Sequence, residues 1–317
     1  LRLKASRVLL VGAGGLGSPV ALYLAAAGVG TLGVADFDVV DRSNLQRQIL
    51  FADADVGEPK AAAAARALRA RNPHVQVVPH RLRLDASNAL AVAAGYDLIV
   101  DGSDNFATRY LTNDLAVLSG KPLVYAAVFH FDGQASVFAH GDGPCYRCLY
   151  AEPPPPALAP NCAEAGVLGV LPGLLGLIQA TEALKILLGQ GEPLAGRLLT
   201  VDALSMRFQE LRIPRDPGCP ICGAEPTIHS LADTEALCAA PDRAPQCPWD
   251  VTVAEYAAAR AEPHHLLDVR TPAEAAAETL GGQLIPHDQV AARLSEIPRG
   301  QRVVVICRSG GRSAAAT

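Results

Sequence analysis

The sequence predicts a chain of two α/β units, a larger one built on a mostly parallel sheet and a smaller one after it. Three observations carry this. A β-rich run at residues 7–11 meets a glycine turn at 12–17, a helical segment at 16–27 and a second strand at 31–35, which together make a βαβ unit. Helical and strand-like segments then continue to alternate, the pattern of a mostly parallel sheet. Near Glu225 the composition turns proline-rich, and a second alternation starts at residue 251. A length of 317 residues also suits two domains at about 150 residues each.

Taken in order, Gly28 and Gly30 stop the first helix. Residues 60–70 (KAAAAARALRA) form a helix by propensity, and 75–78 and 98–100 read as buried strands. Residues 123–129 and 134–139 are β runs joined by a turn at Asp132-Gly133. The prolines at 153–156 predict an irregular crossover, since they continue neither a helix nor a central strand. We place the larger domain at 1–225, a linker at 226–248 and the smaller domain at 249–317. Within the smaller domain, 251–260 and 289–294 read as helical, and 265–269 and 302–306 as strands. The chain starts abruptly at Leu1 and stops at Thr317 as a helix begins, so both domains look incomplete at those ends. No segment repeats.

The formal charge of −5 gives no reason to expect nucleic acid as a partner. Half the residues are apolar, enough for a sizeable core. The longest nearly polar-free stretch, 165–178, would reach only ~21 Å as a helix, short of a ~30 Å bilayer core, and Pro172 interrupts it. No membrane span and no signal layout is therefore expected, and the reading is a cytoplasmic enzyme.

Gly12, Gly14 and Gly17 satisfy G-x-G-x-x-G, whose backbone N–H groups approach a phosphate at a helix N-terminus. Asp36 follows where a ribose-binding acid is expected, so the turn is Rossmann-like. By itself this suits NAD. The next segment argues against it: Asp38, Asn44, Arg47 and Gln48 lie close together, with Lys60 on a following helix. Cations converging on one site suit a triphosphate. Asp104 and Asn105, in DGSDN after a buried strand, stand at a carboxyl end, where such sheets bind ligands; Asp104 suits magnesium.

VGAGGLG, DFD, SNLQRQ, VGEPK, DGSDN, CYRC, NCAEAGV and DPGCPIC together resemble the bacterial molybdopterin-synthase and thiamine-biosynthesis adenylyltransferases, relatives of the ubiquitin-activating enzymes. The resemblance spans residues 6–223. It implies ATP bound with Asp36 on the ribose, Arg47 and Lys60 on the phosphates and Asp104 on magnesium, with Gly15, Asn44 and Gln48 lining the site. It further implies a homodimer that joins AMP to the terminal glycine of a small ubiquitin-like sulfur carrier ending in Gly-Gly. The family's N-terminal arginine segment has no match here.

The cysteines divide into three kinds. Cys145-x-x-Cys148 and Cys219-x-x-Cys222 form a four-thiolate set that fits structural zinc; unrelated or redox pairs are the alternative, and the resemblance favours zinc. Cys162 occupies the family's crossover-loop cysteine position, with a role in sulfur transfer that varies among members. Cys238 and Cys247 read as incidental.

Cys307 ends an apolar strand and opens CRSGGRS, a loop whose N–H groups and Arg312 would cradle a sulfur anion. With LLDVR at 266–270, residues 249–317 resemble a rhodanese-type sulfurtransferase. Asp268 and Arg270 read as an internal ion pair, and His264-His265 as a loop pair. An adenylylated carboxylate and a persulfide donor together make a thiocarboxylate. The expected function is therefore adenylation of the carrier followed by sulfur transfer. An NAD-dependent oxidoreductase and a non-catalytic carrier-binding module are the rivals.

Overall fold

A computed structural model of the chain describes residues 1–153, 166–238, 256, 262–277, 281–298, 300–307 and 313. It divides into two compact units, Leu1–Ala240 and Pro241–Thr317. The first is built on an eight-stranded sheet in the order β3-β2-β1-β4-β5-β6-β7-β8. Its strands are β1 (Arg7–Val11), β2 (Thr31–Ala35), β3 (Gln76–His80), β4 (Leu98–Asp101), β5 (Leu123–Phe129), β6 (Asp132–Phe138), β7 (Arg197–Asp202) and β8 (Arg207–Arg212). The pairings from β3 through β5 are parallel, and those from β5 to β8 antiparallel.

The helices are α1 (Arg2–Ala5), α2 (Gly17–Ala27), α3 (Lys60–Arg71), α4 (Ala89–Ala93), α5 (Phe106–Ser119), α6 (Tyr146–Leu149), α7 (Val170–Leu188) and α8 (Leu231–Cys238). Val8 and Leu10 of β1 pack with Val20 and Leu24 of α2, Leu68 of α3 and Leu175 of α7. Leu9 and Val11 belong to a second core with Ala89, Tyr110 and Leu115. Burial on both faces is why β1 is a continuous apolar run and not an alternating one. The expected mostly parallel α/β architecture is present.

Several details differ from the sequence expectation. The β5–β6 pairing runs to Phe129↔Asp132, so the turn is His130-Phe131, with His130 at φ +52°. Asp132-Gly133 begins β6 because Gly133 backs onto Leu175, where an added Cβ would come within 2.7 Å. The helix near 170 runs on past the apolar stretch at 165–178, to Leu188. Pro172 does not interrupt it, since proline in a first helical turn lacks an N–H that has no intrahelical partner there. The resulting α7 is long and apolar enough to cross a membrane by length and composition. Yet it packs on α2, β5 and β6, and its buried Gln179 and Glu182 bond Asp101 O (2.7 Å) and Leu194 N (2.8 Å). We read it as a core helix.

The expected linker also begins as structure. Ile228, Leu231 and Thr234 are buried, and α8 packs on α5. The predicted crossover beyond Pro153, including Cys162, lies outside the described residues, as does nearly all of 251–260.

The second unit has a parallel sheet β10-β9-β11, formed by β9 (His265–Asp268), β10 (Gln283–Leu284) and β11 (Val303–Ile306). Leu267, Val269, Ile285 and Val290 form its core. Pro272–Ala277 is its helix α9, while the expected helix at 289–294 is two 3-10 segments, His287–Gln289 and Ala291–Glu296. His265 is a strand residue, not part of a loop pair, and its ring meets Gln283 Oε1 at 2.9 Å.

Candidate active site

A cleft of about 490 Å³ opens at the carboxyl ends of β1, β2 and β4. Its floor is the glycine turn. Gly12 sits at φ +89°, and a Cβ there would come within 2.8 Å of Gly102 O. At Gly17 a Cβ would stand 2.0 Å from Gly12 O, so the turn admits no side chain where the helix begins. Asp36, just after β2, accepts from Ala13 N (2.8 Å) and Asp38 N (2.9 Å), which fixes its carboxylate against the turn. Burial pushes its pKa above the ordinary value, and the Ala13 N–H and Lys60 only partly oppose that.

The predicted cations converge here. Lys60, in the first turn of α3, is 6% exposed and its Nζ lies 3.0 Å from Asp38 Oδ2. Arg47 donates to Asn44 Oδ1 at 2.7 Å, and both line the cleft with Asp36, Asp38, Gly12, Gly14 and Gly15. Gly15 is held between α7 and Arg47, since a Cβ would lie 3.0 Å from Pro172 and 3.5 Å from Arg47 Cγ. Gln48 is buried with its Oε1 unbonded among the described residues. Asn105 has a structural task, capping α5 by accepting from Thr108 N at 2.9 Å, and it still borders the cleft. Asp104 stands exposed on the loop after β4, and no donor among the described residues engages it.

Asp104, Arg109 and Val128 also line a second, larger cavity of about 820 Å³. The rest of its wall is largely aromatic or acidic, with Phe106, Tyr146, Tyr150, Asp132, Glu152 and Asp202. Sequence reading missed this cavity and Arg109, which is 7% exposed and spans both spaces. Its position on the helix that follows DGSDN is the local hint of it.

The four paired cysteines meet as expected. Sγ separations are 3.5 Å for Cys145–Cys219, 3.4 Å for Cys148–Cys222 and 3.9 Å for Cys145–Cys148. All four sulfurs lie within 4.8 Å of one another, close to the ~3.8 Å spacing of a tetrahedral zinc site with ~2.3 Å bonds. Bonding to Cys148 and to Cys219 holds the Cys145 thiol above its usual range, and bonding to Cys145 holds Cys148 below it. A set of four soft donors in closed geometry fits zinc.

In the second unit, Cys307 follows β11 and accepts from Ser313 N at 3.4 Å, with Ser313 Oγ at 3.3 Å. Arg312 and the intervening loop lie outside the described residues. Asp268 and Arg270 form the expected buried ion pair at 2.6 Å. Burial opposes the charge on Asp268, but the Arg270 guanidinium outweighs it and lowers the pKa.

Comparison with known proteins agrees with this geometry. A sulfur carrier protein adenylyltransferase of Thermus thermophilus is 57% identical, over 75% of this chain and 89% of that protein. A probable adenylyltransferase/sulfurtransferase MoeZ of Mycobacterium tuberculosis is 46% identical and covers 99% of this chain and 82% of its own length. The crystal structure of Escherichia coli MccB shares the fold, with a TM-score of 0.62 and 22% identity, over 71% of this chain and 67% of that one. The model of the ThiF family matches residues 1–221, and this chain belongs to the ThiF family.

Proposed function

We propose that the chain adenylates the C-terminal glycine of a small ubiquitin-like sulfur carrier and then helps convert that glycine to a thiocarboxylate. One observation carries this most: the cleft that gathers Arg47, Lys60 and the glycine turn shares Asp104 and Arg109 with a cavity roomy enough for a peptide tail. In this reading ATP occupies the cleft, with Asp36 on the ribose and Arg47, Asn44, Gln48 and Lys60 around the phosphates. The carrier's tail enters through the larger cavity and meets the nucleotide beside Arg109.

A tail carboxylate oxygen attacks the α-phosphorus, the bond to the β-phosphate breaks, and pyrophosphate leaves. The attacking group belongs to the substrate, so the protein's work is positioning and charge neutralisation. Lys60 is already buried and oriented by Asp38, so little reorganisation accompanies binding. Asp104 and the triphosphate would hold magnesium, which would neutralise charge on the departing pyrophosphate. Zinc on Cys145, Cys148, Cys219 and Cys222 would tie the segment after β6 to residues 219–222 and take no part in the reaction.

The second unit supplies sulfur in this proposal. A persulfide on Cys307 attacks the acyl carbon, AMP leaves, and a thiol reductant cleaves the resulting acyl disulfide to release the thiocarboxylate. Arg312 and Cys162 are proposed to assist, Arg312 by cradling the sulfur anion. A rhodanese-like second unit and a homodimer complete the proposal. The reading is tested by incubating the protein with ATP, a persulfide donor and a Gly-Gly-terminated carrier. The carrier should grow heavier by the difference between sulfur and oxygen; an unchanged carrier mass with folded protein refutes the proposal.

A further inference from the structure

Three consecutive main-chain carbonyls, at 150, 151 and 152, are held by side chains and not by a regular strand or helix. The Tyr110 hydroxyl donates to Tyr150 O (3.0 Å) and Glu152 O (2.7 Å), and Arg147 Nη1 donates to Ala151 O (2.9 Å). Tyr150 and Glu152 line the larger cavity beside the Tyr110 ring, so this short segment and the residue that holds it form one of its walls.

The two holding residues are themselves rigidly placed. Tyr110 is fully buried on α5, and its ring lies 4.7 Å from the Arg147 guanidinium carbon. Arg147, 1% exposed, sits between Cys145 and Cys148 and reaches Asp114 through both Nε (2.8 Å) and Nη2 (2.7 Å). Asn113 donates to Asp114 at 2.8 Å and accepts from Tyr146 N at 2.7 Å, while Thr234 of α8 donates to Asp114 at 2.5 Å. A bidentate pair walled off from water is geometrically strict, because each partner left alone would be an uncompensated buried charge.

We propose that Tyr110 and Arg147, anchored by Asp114, are positioning residues that clamp residues 150–152 in the shape that receives the carrier's tail. The clamp makes tail affinity depend on groups that never line the cleft for ATP, and, through Arg147, on the cysteine centre that flanks it. This rests on the reading of the larger cavity as the tail site. The two pockets are then separable by mutation: loosening the wall weakens the tail and leaves the nucleotide alone.

The experiment uses the full chain, a short synthetic peptide ending in Gly-Gly and ATP, with binding measured by calorimetry. Tyr110→Phe keeps the ring and removes the hydroxyl that serves two carbonyls. Peptide affinity should fall about tenfold, with ATP affinity and zinc content unchanged and faster amide exchange near 150–152. Arg147→Lys should act in the same direction. Thr234→Val, at the far side of Asp114, should lower the melting temperature and weaken the peptide less than Tyr110→Phe does, since both carbonyl donors remain in place. Faster exchange with unchanged peptide affinity would overturn the proposal, and so would an equal loss of ATP affinity. Absence of peptide binding by the unaltered protein would instead overturn the tail-site reading itself, and the clamp's role with it.

Discussion

Asp36 carries two demands in one side chain. Its carboxylate already accepts two backbone N–H groups, and burial makes its ionised form harder to maintain. A carboxyl with a raised pKa takes up its proton at a higher pH than the ordinary 3.8, so the acceptor that we assign to the ribose is lost early on acidification. ATP affinity should therefore begin to fall above that pH in the unaltered protein, whereas Asp36→Asn should bind more weakly but with a flatter pH profile. Titrations across mildly acidic pH check this, and parallel profiles would contradict it. Gly17→Ala is expected to fail outright, since its Cβ would overlap Gly12 O at 2.0 Å. Soluble, ATP-binding Gly17→Ala protein would show that the turn yields. Residues of this kind were legible because their chemistry is local: the turn, Asp36, Arg47 and Lys60 announce themselves by type and spacing. Arg109, Tyr110 and Asp114 were not, because their partners lie on other elements. The Asp114–Arg147 contact crosses 33 positions of sequence and Asp114–Thr234 crosses 120.

At the scale of elements, the strand and helix alternation predicted the parallel part of the sheet well. What it missed were boundaries set by packing: Gly133 drawn into β6 by Leu175, α7 running through Pro172, and α8 forming where prolines suggested a linker. Nothing in the composition of 226–248 signals that Ile228 and Leu231 find a surface on the larger unit. The cysteine pairs were the opposite case, since two C-x-x-C knuckles state their geometry in advance. Zinc there should be stoichiometric in protein purified without chelator. Cys219→Ser leaves three thiolates around the site and should lower the melting temperature. A loss of even ~2 kcal/mol corresponds to ~4–8 °C for a unit of this size. An unchanged melting temperature together with no bound metal would show that the sulfurs are merely neighbours.

For the whole molecule, we propose that one unit activates the carrier and the other supplies the sulfur. Covalent attachment would keep the donor at an effective concentration on the order of millimolar, with no new contact needed. Cys307→Ala should accordingly abolish thiocarboxylate formation while leaving adenylation intact, and sulfur from thiosulfate should appear on the peptide that holds Cys307. Sulfur carried by Cys162 in the Cys307→Ala protein would place the donor elsewhere. The central claim is adenylation of a carrier in the cleft of the first unit, and carrier-dependent exchange of pyrophosphate into ATP measures it most directly. The unaltered protein should catalyse that exchange with ATP and a Gly-Gly-terminated carrier. Lys60→Ala and Asp104→Ala, both folded, should each lose about 10²–10³ in rate, the usual cost of one preorganised charge contact. Near-normal exchange in both variants would contradict the assignment of this site.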